Sequence, residues 1–552
     1  MIPASAVRQS PHATTETAVV ARRRVSLEAL WITMMSFLVY AAATIYLVYG
    51  GIHYAEGDAI SRAANAYYVL FSRNPHLGAI GFVWNPLPSL LELPLVALHP
   101  WIPAVVTRGL AGSAVSAVLG AWAVYHLHHI LGKNMSIPRV TRIIITATFA
   151  LNPLIVLYGA NGMSDIMWIT CILGTYSGLL DFLQHDSLRR LVSASLWLAA
   201  GFGMRYEAIP FGFMLILALV VTMWGRVPTS KWFGSAIIFG APIVFASGVW
   251  VYFNWLIMKN PLYFLNSSYG NLAQTSTGTY MTPAIVAADH HLLGAFLYMV
   301  RFGALYWPIY LGLAFALFFC FGRRRDPLAI VLVFGTIGAQ LLEAVLVYKG
   351  GLGEWDRYFL EYIPNGILLF AFIIAKTHAW WSRWAPLGKT FAAALMLLVF
   401  LSGTIGTVKA LQSPILGTPD GGVIDAAYHH QSLQRTPQNA FFGAMAVVAY
   451  ANNHPHMSIL ADTFVAYPIV LRAHHLSQFV ITSDYQFNSI LYNPRGRVTA
   501  FLVAKPTGIA QLDALNRAWP GLWEGKVRWA KLIKQFPGSI QYRLFKILPS
   551  AP

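Results

Sequence analysis

Two carboxylates stand two residues apart in His53-Tyr54-Ala55-Glu56-Gly57-Asp58-Ala59-Ile60-Ser61-Arg62, a stretch set between apolar runs. Ionisable groups at a bilayer edge are costly and are usually retained for a task. A carboxylate here has the chemistry of a general base, taking the proton of a hydroxyl as that hydroxyl attacks. Asp58 is the first candidate and Glu56 its rival. The structural alternative is an Asp that heads a short helix, as a cap or as an ion-pair partner of Arg62, its neighbour four residues on. Tyr67 and Tyr68 follow, amphipathic residues suited to a membrane interface. Phe82-Val83-Trp84-Asn85-Pro86-Leu87-Pro88 then makes a rigid turn into another apolar segment.

A second acid, Asp165, ends Gly159-Ala160-Asn161-Gly162-Met163-Ser164-Asp165, where a later apolar run surfaces. Either Ser164 or Asp165 could cap the next helix. In the functional reading Asp165 faces Asp58 and orients an acceptor. Four cations, Arg205, Arg301, Lys349 and Arg357, fall at or near the same side. Their charge could stabilise a departing lipid phosphate. Arg357 lies in Glu354-Trp355-Asp356-Arg357-Tyr358, so a local ion pair with Asp356 or Glu354 is its structural alternative. His126, His128 and His129 show no metal-ligand spacing and no clear acid nearby. Asp289-His290-His291 reads as a solvated loop. The chain has no Walker loop, no GxGxxG after a strand and no GxSxG elbow, so nothing supports ATP-driven or serine-hydrolase chemistry.

The elements that must position these groups are apolar helices. Of 552 residues, 57% are hydrophobic and 11% charged, against about 25% charged in soluble domains. Runs of roughly 20 apolar residues match a hydrocarbon core about 30 Å thick. Eleven spans are expected between residues 27 and 407, after a polar tail at 1–26 that ends in Arg22-Arg23-Arg24. The first run is too long for a cleaved leader, so an uncleaved span with a cytoplasmic N-terminus is expected. The net charge of +17 is not a nucleic-acid signature. The proposed inner segments hold 17 Lys and Arg and the outer loops 6, as the positive-inside rule requires. The outer loops are then 51–103, the surfacing segment at Asp165, Arg205-Tyr206-Glu207, 257–291 and Lys349–Arg357. Cys171 and Cys320 both fall in apolar runs and give no disulfide framework. Residues 408–552 differ. Strand-like runs at 457–462, 479–484, 498–504, 527–535 and 539–547 alternate with helix-like ones at 439–452 and 509–519, which points to an extracytoplasmic α/β domain.

This layout resembles the GT-C superfamily of integral-membrane glycosyltransferases, most of all the branch with protein O-mannosyltransferases and the lipid A aminoarabinose transferase. The matching parts are Glu56/Asp58 with Ser61-Arg62, Trp84-Asn85-Pro86-Leu87-Pro88, Thr107-Arg108, the basic turn Lys133–Arg142, and Asp165. The likeness covers about residues 25–200, with a looser fit at Arg357-Tyr358 and Pro364. Glycine separates the two acids of the first loop, where the family often has Asp-Glu side by side. At Asn85 some relatives carry a charged residue. The resemblance implies sugar transfer from a polyprenyl-phosphate donor to a lipid, glycan or protein acceptor on the outer face, with inversion and Asp58 as base. Arg62, Tyr67, Trp84, Asn85 and Arg108 would position donor or acceptor. It implies no nucleotide or redox cofactor; a divalent ion such as Mg or Mn serves some branches and not others. The absence of a retention signal points to a bacterial plasma membrane. The rival classes are a transporter or flippase, marked by inverted repeats and mid-bilayer acids, and a scaffold acting through the tail. Glu343 is an acid within a span, but no repeat is evident.

Overall fold

A computed structural model describes residues 12–549 apart from 280, 322–324, 354 and 418, with side chains described from residue 27. The side chains of Arg22-Arg23-Arg24, Arg323-Arg324 and Glu354 lie outside the described residues. The chain is a polytopic α-helical membrane protein with a C-terminal sheet. Among the described residues, seven helices are long and apolar enough to span: Leu27–Tyr49, Leu110–Asn134, Ser164–His185, Thr229–Met258, Pro327–Tyr348, Asp356–Trp381 and Pro386–Leu411. Two bent pairs raise the number to nine: Arg139–Ala150 with Pro153–Ala160 at 58°, and Leu292–Tyr306 with Pro308–Cys320 at 108°. Proline opens the second half of each pair, where its missing N–H and its ring break the ladder. Among the described residues up to nine of the expected eleven spans meet this length and apolarity. The remaining two segments form the helices Leu188–Met204 and Ala208–Met223, of 17 and 16 residues. At 1.5 Å per residue they are about 25 Å long, short of the hydrocarbon core.

The Asp165 helix, Ser164–His185, is the central post, with 94% of its apolar window buried, whereas only 22% of the window in Leu27–Tyr49 is buried. Two acids, Asp181 buried and Glu28 half-buried, fasten helix ends. Asp181 meets Lys133 at 2.9 Å, Arg190 at 3.4 Å and His129 at 3.4 Å. Glu28 meets Arg142 at 2.7 Å, His128 at 3.3 Å and Arg139. His128 and His129 thus each join one of two acid clusters, whose acids come from sequence-distant helices, and His126 joins neither.

The segment 51–103 carries two α-helices, α2 (Gly57–Phe71) and α3 (Leu87–Val96), after α1 (His12–Tyr49). Ile60, Ala63, Ala64, Tyr67 and Tyr68 recur at helical spacing, so α2 presents one apolar stripe. Ile60, Ala64, Tyr67 and Tyr68 are buried in one cluster with Val465, Ile469 and Phe441 of the C-terminal region.

That region holds a five-stranded sheet in the order β2-β1-β3-β5-β4. β1 (Ile459–Ala461), β2 (Phe479–Ile481) and β3 (Ala500–Ala504) run parallel; β4 (Ala530–Phe536) and β5 (Tyr542–Ile547) form an antiparallel hairpin on β3. All five strand-like runs become strands. The helix-like runs shorten. The first begins only at Met445, after Gly443 takes φ +83°, and the second splits at Asp513, which caps Ala514–Ala518 by accepting from Leu515 N–H at 2.8 Å. The sheet region is tied to the segments 51–103 and 257–291. Ala440 N–H donates to Ala55 O at 2.9 Å, Asn439 Nδ2 to His53 O at 2.8 Å, and Tyr269 of the long loop to Asp462 at 2.9 Å.

Candidate active site

The site begins at the head of α2. Glu56 is extended and is the N-cap, its carboxylate accepting from Ala59 N–H at 2.8 Å, which satisfies one of the orphan donors of the first turn. Asp58 sits in that turn, where the helix dipole favours an anion. Its Oδ2 accepts from Arg357 at 2.7 Å, and its side chain remains 35% exposed, open to an incoming group. Burial opposes the Asp58 charge, but Arg357 and Arg62 outweigh it and hold the carboxyl below the ordinary range. Burial and the neighbouring Asp58 charge push Glu56 up to about 7. The alternative Asp58–Arg62 ion pair is not the one formed. Arg62 lies over the Trp84 ring at 5.0 Å and reaches Met163 Sδ at 3.5 Å, because the buried side of α2 turns it toward the helix cluster.

Asp165 is delivered by a tight turn. Gly162 adopts φ +83°, and a Cβ there would stand 3.0 Å from the Gly112 carbonyl carbon, so only glycine lets the two chains pass this close. Met163, not Ser164 or Asp165, is the N-cap of the following helix. Asp165 is 2% exposed and ion-paired through Oδ1 with Arg205. Arg205 also grips Glu207, with Nε at 2.7 Å. Glu343 and Glu361 are buried behind this pair, and Gln340 donates to Glu361 at 3.1 Å. Asp165 reaches Arg62 and Arg357 electrostatically, so the two acids are linked through shared arginines rather than by direct contact.

Arg357 is carried by the 3-10 turn Asp356–Phe359. Its guanidinium lies 4.2 Å from the Trp355 ring and 5.1 Å from Tyr358, whose other neighbour is Arg205 at 5.7 Å. Two arginines thus converge on one tyrosine. Its partner is Asp58, a residue far away in sequence, instead of the adjacent Asp356. Lys349 and Arg301 do not join this group: among the described residues neither side chain forms an ion pair. Asn85 is buried and donates to Phe202 O at 2.5 Å, Tyr67 packs on His99 at 4.8 Å, and Arg108 covers the Tyr49 ring at 4.3 Å. Of the five positioning candidates, Arg62 and Trp84 contact each other beside the cluster, and among the described residues no hydrogen bond or ion pair joins Tyr67, Asn85 or Arg108 to Asp58 or Arg357.

Several members were not singled out from sequence. Tyr158, Asp356, Tyr358 and Glu361 are buried or half-buried around the arginines; acids at span ends were the available signal. Tyr467 comes from the C-terminal region, and its hydroxyl would lie 3.1 Å from a Cβ on Gly57, between the two candidate acids; nothing local marks it. Among the described residues no three His, Cys, Asp or Glu side chains are grouped to hold a metal ion. Asp58 and Asp165 are each taken up by an arginine, so this donor set does not fit a divalent cation.

The fold and site define a multi-pass membrane protein with acids and arginines gathered at one face. Residues 105–250 match the family model of the dolichyl-phosphate-mannose-protein mannosyltransferases, and the resemblance to GT-C glycosyltransferases drawn from the loop motifs holds. The matched stretch includes Asp165 and Arg205 and excludes Asp58 and Arg357. No curated protein matches in sequence. Among solved structures, the Archaeoglobus fulgidus oligosaccharyltransferase in its apo form is similar at 11% identity and TM-score 0.47, covering 86% of this chain and 69% of its own. The same organism's AglB, in complex with an inhibitory peptide and a dolichol-phosphate, is similar at 12% and 0.45, covering 92% and 74%. The Archaeoglobus fulgidus oligosaccharyltransferase in complex with Zn and sulfate gives 11% and 0.42, covering 85% and 67%.

Proposed function

We propose that this chain transfers a sugar from a polyprenyl-phosphate donor to an acceptor hydroxyl on a lipid, glycan or protein at the extracytoplasmic face of a bacterial plasma membrane, with inversion. The observation that carries this reading is the Asp58–Arg357 pair at 2.7 Å, on a carboxylate still open on one side. In the reaction, Asp58 takes the acceptor's proton as its oxygen bonds to the sugar C1. The bond from C1 to the phosphate oxygen breaks, and the departing lipid phosphate keeps the electron pair. Arg357, with Arg205 beside it, stabilises that charge through charge-assisted hydrogen bonds. The donor class is supported by the family description, which names a dolichyl-phosphate sugar. In this reading residues 27–407 form the catalytic membrane domain, the N-terminus is cytoplasmic, and residues 408–552 lie outside with the loops they touch.

The test is lipid mass spectrometry on membranes from wild type and a null strain. Accumulation of a polyprenyl-phosphate sugar on the outer leaflet of the null is the expected result. One observation favours a second reading, a flippase: the buried acids Glu207, Glu343 and Glu361 adjoin the break between Pro327–Ala339 and Leu341–Tyr348. A flippase null would accumulate the same lipid on the inner leaflet, and no lipid-linked sugar at all would refute both.

A pH dependence follows. Asp58, held below its ordinary range, is ionised throughout neutral pH, whereas Glu56 titrates at about 7. Above that pH Glu56 adds a negative charge beside Arg357 and opposes an anionic donor. The donor KM should rise several-fold between pH 6 and 8, about what one added charge does at this range, and Glu56→Gln should flatten the rise. The same raised pKa gives a stability contribution that is full below the unfolded value of about 4.3 and lost as pH climbs through 7.

A further inference from the structure

The apolar stripe of α2 is buried against the helix Thr463–Arg472, which follows β1. That helix is fixed along its length. At its head Asp462 accepts from Phe464 N–H at 2.8 Å, from Ala514 N–H at 2.6 Å and from the Tyr269 hydroxyl at 2.9 Å. In its first turn Val465 O accepts from the Tyr542 hydroxyl at 2.7 Å. At its tail Arg472 donates to Thr107 O at 3.0 Å and covers the Phe441 ring at 3.6 Å. A helix held in this way can neither slide nor turn freely, so the fold aims the side chain at its middle.

That side chain is Tyr467. Its ring packs on the α2 cluster, and its hydroxyl reaches the backbone of Gly57. A Cβ on Gly57 would stand 3.1 Å from it, closer than an ordinary van der Waals contact. The glycine between the two acids thus leaves room for this hydroxyl. Tyr467 is half-buried, as are Glu56, Gly57 and Asp58. Among the described residues no hydrogen bond takes up the hydroxyl. Burial first, then the Glu56 and Asp58 charges, raise its pKa, so at neutral pH it keeps its proton and is a donor. An open donor of this kind bonds water until a ligand replaces it.

We propose that Tyr467 is an acceptor-binding residue that the C-terminal region lends to the active site: its hydroxyl bonds a polar atom of the acceptor and so holds the attacking hydroxyl at Asp58. The proposal rests on the function given above. The anionic end of the donor is matched by Arg357 and Arg205. The attacking hydroxyl must come to Asp58, one residue from Gly57, so the acceptor is the substrate that meets Tyr467. This two-point hold favours acceptors with a second polar atom near the attacking hydroxyl over plain lipid alcohols.

The test compares wild type, Tyr467→Phe, Gly57→Ala and the double variant as full-length protein in lipid nanodiscs. The donor is the polyprenyl-phosphate sugar purified from the null strain. The acceptor is an envelope extract of the same strain, titrated by mass. Tyr467→Phe should raise the half-saturating amount of extract by about fivefold, the worth of one neutral hydrogen bond, with the donor KM within twofold of wild type. Gly57→Ala should raise it too, because its methyl group meets the hydroxyl. In the Tyr467→Phe background the same change should cost less, since the atom it meets is gone, and this non-additivity marks a direct contact. An extract requirement within twofold of wild type in Tyr467→Phe would overturn the proposal. So would a donor KM that rises with it, or a lower kcat that only tracks the folded fraction. Failure of Tyr467→Phe to fold would assign the hydroxyl to packing and overturn it as well. Wild type that moves no sugar from this donor to the extract would overturn the transferase function and this role together, whereas active wild type with unaffected variants overturns this role alone.

Discussion

Asp58→Asn should abolish transfer while leaving the protein folded. The substitution is isosteric and keeps an oxygen for Arg357 to bind at the 2.7 Å position, but an amide cannot take the acceptor proton. General-base losses are about 10²–10⁴-fold. Purified variant should elute with wild type on size exclusion and melt within a few degrees of it, since Asp58 is partly open to solvent and its helix is capped by Glu56. In cells the variant should accumulate the same lipid-linked sugar as the null strain. Removing the Asp58 charge also removes one of the two causes that raise Glu56, which frees a second carboxylate two residues away. Any residual rate should therefore vanish in the Glu56→Gln double variant. Full activity in Asp58→Asn alone would dismiss Asp58 as base.

Arg357→Ala should be as damaging for a different reason. It deletes the cation that faces Asp58 and, in the proposed reaction, the leaving phosphate. Loss of one to two charged hydrogen bonds predicts a fall in kcat/KM of about 10²-fold, dominated by the donor KM. Arg357 is the chief charge holding Asp58 down, so the acid limb of the rate profile should move to higher pH, as a carboxyl left mainly to burial protonates more readily. Arg357→Lys keeps the charge but loses the planar stack on Trp355 and Tyr358, and should fall between the two. Donor titrations at three pH values check both effects. An unchanged donor KM in Arg357→Ala would remove this residue from the phosphate site.

The sequence made the membrane architecture legible because apolar length and basic turns are local signals. Every one of the eleven apolar runs becomes helix, and all five strand-like runs pair. What local pattern does not carry is angle and length at a break: Pro308 announces a stop, not a 108° bend. The same limit governs the site. Asp58, Arg357, Asp165 and Arg205 were visible as charges beside apolar runs. Their partners were not, because Asp58 pairs across 299 positions and Asp420 bonds Tyr158 across 262. Arg62, four residues from Asp58 on the same helix, was the natural choice from spacing, yet tertiary packing turns it to Trp84. Asp420 lies in a Pro- and Gly-rich stretch, about 413–422, that reads as a linker, because nothing in its neighbourhood reveals that the chain folds back between α1 and the helix Pro153–Ala160.

The clasp between His53 and Asn439, 386 positions apart, sets a timetable for biogenesis. A ribosome adding roughly 5–20 residues per second needs about 20–80 s to make the chain between them. The first loop is therefore made with its apolar stripe bare, and waits so for most of translation. The α2 stripe is covered only when the last quarter of the polypeptide arrives. The candidate base is among the first residues inserted and among the last secured, so a stalled or truncated chain would leave that stripe uncovered for chaperones and proteases to find.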